Sequence, residues 1–427
     1  MPEERMRTPV HDVAGIGFGP SNLALAVALE EEHGPGVDAV FFEKQPRFGW
    51  HRGMLIDGAT MQVHFLKDLV SLRNPASPYS FLSYLHARGR LVDFVNHKTM
   101  FPTRLEFHDY LEWTAAAFAG RVRYGTEVVA LRPHDDETLE VVVRRDDELE
   151  THLARNVVIA AGLDPVLPEG LRPGERIWHT EDLLTRLDER KDWNPRRLVV
   201  VGAGQSAAEA VEYLHRTFPG TEVCAVFTRY GYSPADDSSF ANRIFDPAAV
   251  DHYYAAPDEV KRMLFDYSRN TNYSVVDLDL IDELYRRAYA EKVAGAERLR
   301  ILNVSRVEDV RDGPDGVRVR TGFLPTGETA ELDADAVVYA TGYRERDPFH
   351  LLGEAGAHCR TGPDGRPVME RDYRIATEPG REWGVYLQGA TEHSHGIASS
   401  LLSMTAVRTG EIVRSMARRS ARVTPGV

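Results

Sequence analysis

Two cysteines, Cys224 and Cys359, are all that 427 residues carry, and they form no CxxC pair. That excludes a disulfide-stapled secreted fold and a redox-active dithiol working beside a cofactor. Cys224 lies in the apolar run TEVCAVF, where a small buried hydrophobe is expected. No apolar run approaches the ~20 residues that a bilayer-spanning helix needs. Positive charge is in deficit, with 51 Lys and Arg against 65 Asp and Glu and a net charge of −14, which argues against a general nucleic-acid surface. The opening MPEERMRTPVHDV is charged and runs directly into a strand pattern, unlike a signal peptide. There is no repeat of solenoid period and no low-complexity tract. What remains, 43% hydrophobic and 27% charged, is the composition of a soluble protein of two or three domains, and the cytoplasm fits best. The basic tail RSMARRSARVTPGV is expected to be frayed and solvated.

One signature does recur. In HDVAGIGFGPSNLALAVALEE a short strand, from about Asp12 to Ile16, meets a glycine turn and then an Ala/Leu-rich helix. In RRLVVVGAGQSAAEAVEYLHRTF an apolar strand meets Gly202 and Gly204, and a helix starts near Gln205. Two strand–turn–helix units of this kind imply two dinucleotide sites. In the first, Gly17 permits the tight turn and Gly19 admits a pyrophosphate to the helix N-terminus that starts at Pro20. The third fingerprint position is Asn22, giving GxGxxN instead of GxGxxG. The next strand ends at Glu43, placed to accept hydrogen bonds from a ribose. In the second, GAGQSA, Gln205 and Ser206 open the helix, and the following strand ends near Arg229 with no acidic residue. That favours a 2′-phosphate and so NADPH, although a lone exposed arginine is often plain surface.

A flavin and a nicotinamide side by side narrow the chemistry to disulfide reductases, simple flavin dehydrogenases and flavin monooxygenases. Without a cysteine pair, oxygen activation is the better option. The expected fold is α/β, with two Rossmann-like dinucleotide-binding domains for FAD and NADPH and a small helical substrate-binding insert. NVVIAAG (156–162) and DAVVYATGY (335–343) look like places where the chain crosses between the domains. The expected boundaries are 9–190 and 341–427 for FAD, 191–234 and 299–340 for NADPH, and 235–298 for the insert.

The segments MQVHFLKDLVSLRNPASPYSFLSYLHARGRLVDF, PTRLEFHDYLEW, DDSSFANRIFDP, RNTNYSVVD and HGIASSLLS resemble the microbial N-hydroxylating flavin monooxygenases. These are the ornithine and lysine hydroxylases of hydroxamate-siderophore and related peptide pathways, and the ornithine branch matches best. The resemblance runs from about Val10 to Val413, and GxGxxN is itself that family's pattern. It implies that NADPH reduces FAD, that O2 forms a C4a-hydroperoxyflavin, and that the substrate amine takes the distal oxygen. It further implies that Lys67 pairs with the α-carboxylate of L-ornithine and that Asn242 holds the same head group. Asn272 would lie near the reacting amine, Gln62 along the flavin and its oxygenated form, and Arg104 near the nicotinamide nucleotide. Ser399, Ser400 and Leu401 would pass over the flavin, and Trp50, His51, Thr341 and Gly342 would line the cofactors. His64 and Ala398 to Ser400 depart from the usual ornithine-hydroxylase residues. A homotetramer is the assembly that the family makes plausible.

The residue types make sense on their own, since an amino-acid head needs a cation and amide groups. Each also has a plainer alternative. Lys67 could sit in solvent on an amphipathic segment, and Asn242 and Asn272 could serve turns. Trp50, Tyr273 and the His393/His395 pair are expected mainly to pack, and no third ligand is spaced to make the histidine pair a metal site.

The missing acidic residue after TEVCAVFTR generates the first test. Purified protein should favour NADPH over NADH in kcat/KM, and Arg229→Ala should narrow that preference. A preference for NADH would overturn the assignment of the second turn.

Overall fold

The computed structural model describes residues 9–268, 271 and 273–423. Six early strands build one sheet: β1 (Val10–Ile16), β2 (Ala39–Glu43), β3 (Val122–Tyr124), β4 (Glu127–Pro133), β5 (Leu139–Arg145) and β6 (Glu148–Ile159). Their order is β3–β2–β1–β6–β5–β4, and a late strand, β17 (Gly384–Leu387), joins beside β6. β6 serves two neighbours in turn. Its first half is antiparallel to β5, while its second half runs parallel to β1 and β17. Where these strands are covered on both faces, at Val13–Ile16 and Val157–Ile159, they are buried and apolar without interruption, as such strands must be.

The chain leaves this sheet through β7 (Leu163–Pro165) and returns through β16 (Tyr343–Glu345), which pair antiparallel. Between them lies the second sheet, built from β8 (Ile177–His179), β9 (Arg197–Val201), β10 (Glu222–Val226), β11 (Leu299–Leu302) and β15 (Ala336–Tyr339). It is parallel throughout, in the order β11–β10–β9–β15–β8. An antiparallel sheet of β12 (Ser305–Gly313), β13 (Gly316–Phe323) and β14 (Thr329–Ala334) intervenes between β11 and β15.

Helix α1 (Pro20–His33) is apolar on every side, and Leu23 to Leu29 are at most 2% exposed. Such a helix has to be enclosed. It packs on the long α12 (Thr405–Val423). Helices α2 (Phe81–Ala87), α3 (Leu91–His97) and α4 (Arg104–Ala117) add an aromatic cluster in which Phe81, Tyr84, Phe107 and Tyr110 touch ring to ring. In the second half, α5 (Leu183–Asp188) and α6 (Gln205–Thr217) supply Leu183, Ala207, Ala208, Val211 and Leu214 to the core. Helices α7 (Pro247–Ala255) and α8 (Asp258–Ser268) form the insert. Two boundaries differ from the sequence expectation. α9 (Leu278–Ala294) packs Leu284 and Ile281 into the core of the second sheet, as the helix between β10 and β11, and β8 is a strand of that same sheet. Both are placed by long-range contacts that local patterns do not record.

The two glycine turns share one steric logic. Gly17 has φ +80°, and a Cβ there would lie 2.5 Å from the carbonyl oxygen of Ala160 at the end of β6. Gly202 has φ +143°, and a Cβ would press on the carbonyl of Ala340 at the end of β15. Each turn is closed against the neighbouring strand, so only glycine fits.

Candidate active site

The N-terminus of α1 has no side-chain cap, and the space beside Gly19 is open. Its first-turn N–H groups are therefore available to an anion, and Pro20 at the first position sacrifices none that a helix would use. Glu43 closes the edge of this site. Its carboxylate accepts from Phe18 N at 2.7 Å and Gln45 N at 2.8 Å, and each oxygen keeps a lone pair for a ribose hydroxyl. Asn22 explains why the third fingerprint position is not glycine. Fully buried, it donates to the carbonyls of Gly17 (2.8 Å), Ile16 (3.2 Å) and Val158 (3.3 Å). Its own oxygen accepts from Gln388 at 3.0 Å, so one amide ties the turn to β6 and to the end of β17.

At the second turn Gly204 caps α6, again without a side-chain cap. Gln205 was expected to face the cofactor, but its amide is committed to protein. It donates to Asp277 (2.9 Å) and Glu209 (3.0 Å) and accepts from Asp277 N (2.9 Å). Ser206 is partly buried beside it. Arg229 is exposed and uses one nitrogen on the Ser274 carbonyl at 2.9 Å. Nε and Nη2 have no protein partner among the described residues, which suits a phosphate.

Arg104, expected near the nicotinamide nucleotide, gives its guanidinium to protein groups, one of them on α6. Its guanidinium forms a two-pronged pair with Glu209, at 2.7 and 2.9 Å, and donates to the Met54 carbonyl at 3.0 Å. Both side chains are largely buried, at 13% and 5% exposure. Gln62 is exposed and donates to Asp277 at 3.2 Å. A hydrogen-bonded chain thus runs from Gln62 through Asp277, Gln205 and Glu209 to Arg104, between the first half of the molecule and the second. Burial raises the Asp277 carboxyl, and the bonds from Gln62 and Gln205 partly counter it. His51 is solvent-accessible as a residue, but its ring lies among protein, with Trp50 at 4.8 Å and Tyr343 at 5.9 Å. Desolvation of the ring and then the Arg104 charge lower its pKa, which keeps it neutral. Trp50 packs on Phe107, as a core ring does. Thr341 donates to the Val166 carbonyl, and Gly342, at φ +79°, offers its carbonyl to His179.

Of the two serines expected over the flavin, Ser399 is fully buried and gives its hydroxyl to the Gly396 carbonyl at 2.8 Å. It serves the turn. Ser400 is partly exposed and donates to Glu345 at 3.2 Å, with Leu401 partly exposed after it. On the substrate side, Lys67 is half-buried, and its Nζ lies 5.1 Å from the centre of the Phe245 ring in FANRIFDP. No carboxylate among the described residues pairs with it. Burial lowers its pKa, countered by Asp246. Asn242, on the same turn as Phe245, spends its amide nitrogen on the Asp237 carbonyl at 2.7 Å and the Ser238 carbonyl at 3.2 Å. Its side-chain oxygen has no hydrogen-bond partner among the described residues. Asn272 lies outside the described residues.

Both histidines of the HSH pair are held by protein. His393 meets the Pro367 carbonyl at 3.0 Å, and His395 stacks on Tyr373 at 4.2 Å. Three functional candidates went unmarked in the sequence. Glu209 was detectable as one acid among Ala207, Ala208 and Ala210. Arg408 was detectable as one cation in the apolar MTAVRTGEIV. Glu392, bonded to Tyr273, left no local signal.

The model for L-lysine 6-monooxygenase/L-ornithine 5-monooxygenase matches residues 9–345. The chain belongs to that family. The L-ornithine N(5)-monooxygenase of Burkholderia cepacia is 41% identical over 423 residues, covering 96% of this chain and 95% of the relative. Among solved structures, the Kutzneria sp. 744 ornithine N-hydroxylase with reduced FAD, NADP+ and L-ornithine superposes with a TM-score of 0.93 at 48% identity. It covers 96% of this chain and all of its own. The L-lysine 6-monooxygenase of Pseudomonas syringae gives 0.84 at 33%, covering 96% and 99%. The protein is a flavin-dependent N-hydroxylating monooxygenase. In this monooxygenase the uncapped α1 with Glu43 fits FAD, and the uncapped α6 with the outward side of Arg229 fits NADPH.

Glu392 generates a pH test. Burial and then the Glu345 charge push its carboxyl up from 4.5 to about 7, against the bond from Tyr273. The folded state therefore holds this proton more tightly than the unfolded one. Its contribution is complete below about 4.5 and is lost as the pH rises toward about 7. Across that window the Tm of the parent should fall relative to Glu392→Gln, and above it the difference should be constant. A difference that does not change with pH would show that this carboxyl is not desolvated.

Proposed function

We propose that this enzyme hydroxylates the side-chain amine of L-ornithine, giving N5-hydroxy-L-ornithine for a hydroxamate siderophore or related peptide. The observation that carries the substrate class is Lys67, a half-buried ammonium without a carboxylate partner among the described residues, beside the FANRIFDP turn. FAD, reduced by NADPH, supplies the activated oxygen atom from O2 when bound. Lys67 takes the α-carboxylate. Asn242, its nitrogen already spent, offers its oxygen to the α-ammonium, and a diamine would leave Lys67 unsatisfied. By the family resemblance Asn272 would hold the reacting nitrogen, and Gln62, bonded to Asp277, would lie along the flavin. A side-chain amine ordinarily titrates near ~10.4, by analogy with lysine, so the site has to favour the neutral form by excluding water from the amine.

The relatives named for lysine and ornithine share one fold, so lysine is the second reading. The assembly is proposed as a homotetramer. In support, Val92, Val95, Met100 and Phe101 are 70, 63, 53 and 41% exposed along one stretch, and exposed apolar patches are where protein interfaces form. No helix among the described residues is long and apolar enough to cross a membrane, and the cytoplasm is the proposed location.

Lys67→Ala should raise the KM for ornithine while leaving bound FAD nearly unchanged. A charge-assisted hydrogen bond contributes about 1.5–3 kcal/mol, which corresponds to roughly ten- to hundredfold. Product should be scored as hydroxylated ornithine. Unaltered substrate kinetics would make Lys67 a surface lysine and remove the support for an amino-acid head.

A further inference from the structure

Arg408, on α12, is 1% exposed and sits under the first nucleotide turn. Its Nε donates to Gln388 Oε1 at 3.3 Å and its Nη1 to the Ser399 carbonyl. Its Nη2 donates to Ser21 Oγ at 3.3 Å and Thr405 Oγ1 at 3.2 Å. Every one of these partners is neutral. Glu411, on the next turn of the helix, gives its two oxygens to Arg371 at 2.9 and 3.2 Å. Among the described residues no carboxylate lies within ion-pair distance of Arg408. An arginine does not escape burial by losing its proton, and an unpaired buried charge is costly. The fold retains one here, directly behind Ser21, the second residue of α1. In front of Ser21 is the uncapped helix terminus with its open space at Gly19.

We propose that Arg408 is the inner counter-charge of the flavin pyrophosphate, a positioning residue that couples FAD occupancy to the Ile397–Ser400 segment. This rests on the first turn being the FAD site. Through Ser21 the guanidinium adds positive potential to the α1 terminus from the protein side, where solvent does not screen it. Through the Ser399 carbonyl it fixes the segment that leads to Ser400. Through Gln388 it reaches Asn22 and hence the turn itself. Without an anion at α1 the charge is a burden, and with one it tightens the turn and that segment together.

The test uses the full chain with Arg408→Met, which keeps bulk and removes charge, and Arg408→Lys, which keeps charge and loses the fork. FAD dissociation is read by dilution of the holoenzyme, and Tm is read with and without excess FAD. Arg408→Met should weaken FAD about tenfold, as a partly buried charge at a helix terminus does, and should shrink the Tm gain that FAD confers. ADP, which carries the pyrophosphate without the ring, should lose competitive affinity in similar proportion, while adenosine should lose none. Arg408→Lys should keep FAD affinity within about threefold, since the charge remains. The proposal is overturned if Arg408→Met lowers both Tm values equally with FAD affinity intact. It is also overturned if Arg408→Lys folds but loses FAD as severely as Arg408→Met, or cannot be recovered folded with flavin. Failure of the parent chain to bind FAD at all would instead remove the FAD assignment of the first turn.

Discussion

Arg104 and Glu209 join the two halves of this enzyme. The arginine starts α4, in the flavin half, and the glutamate lies one turn into α6, behind the second glycine turn. Their two-pronged pair is buried, and Gln205, Asp277 and Gln62 extend it across the cleft. Removing one partner of such a pair ordinarily costs about 3–5 kcal/mol, because a charge is then left buried alone. A nicotinamide and a flavin react only at short range and in one orientation. The distance between the two nucleotide turns is thus governed by a side-chain contact as well as by the β7–β16 crossing.

Much of the architecture was legible along the chain. Strand, glycine turn and helix fall within some twenty consecutive residues at each site, and Gly17 and Gly202 do face strand ends that the motifs NVVIAAG and DAVVYATGY mark. Those features are set by local geometry, so a sequence displays them. What it did not display depends on residues far apart. Arg104 finds its partner more than a hundred positions away, so its ion pair could not be read from the residues around it. The membership of α9 is decided by packing on α6. Ser399 turns inward because Gly396 offers a carbonyl and Arg408 takes its own, whereas its neighbour Ser400 reaches Glu345.

The substitution of Asn22 for glycine shows how a departure from a general pattern becomes intelligible. A glycine at that position allows close packing and nothing else. An asparagine there repays its burial through four hydrogen bonds, and it links the flavin turn to Gln388 and onward to Arg408. The same polar thread therefore joins the first glycine turn to the Ile397–Ser400 segment. The substrate end follows a different principle. In the proposed site, Lys67 and Asn242 would hold one end of an amino acid, so the other end would be selected by length.

Length is where the account is most exposed. With the head held by Lys67 and Asn242, lysine would carry its amine about one C–C bond too far. One methylene changes binding by only about 1–3 kcal/mol, but misplacement by about 1 Å costs on the order of a hundredfold in the chemical step. The decisive measurement is hydroxylated product per NADPH consumed, for ornithine, lysine and putrescine under identical conditions. Ornithine should give tight coupling, lysine NADPH oxidation ending mostly in hydrogen peroxide, and putrescine little stimulation. Tight coupling with lysine or putrescine and none with ornithine would contradict the ornithine assignment.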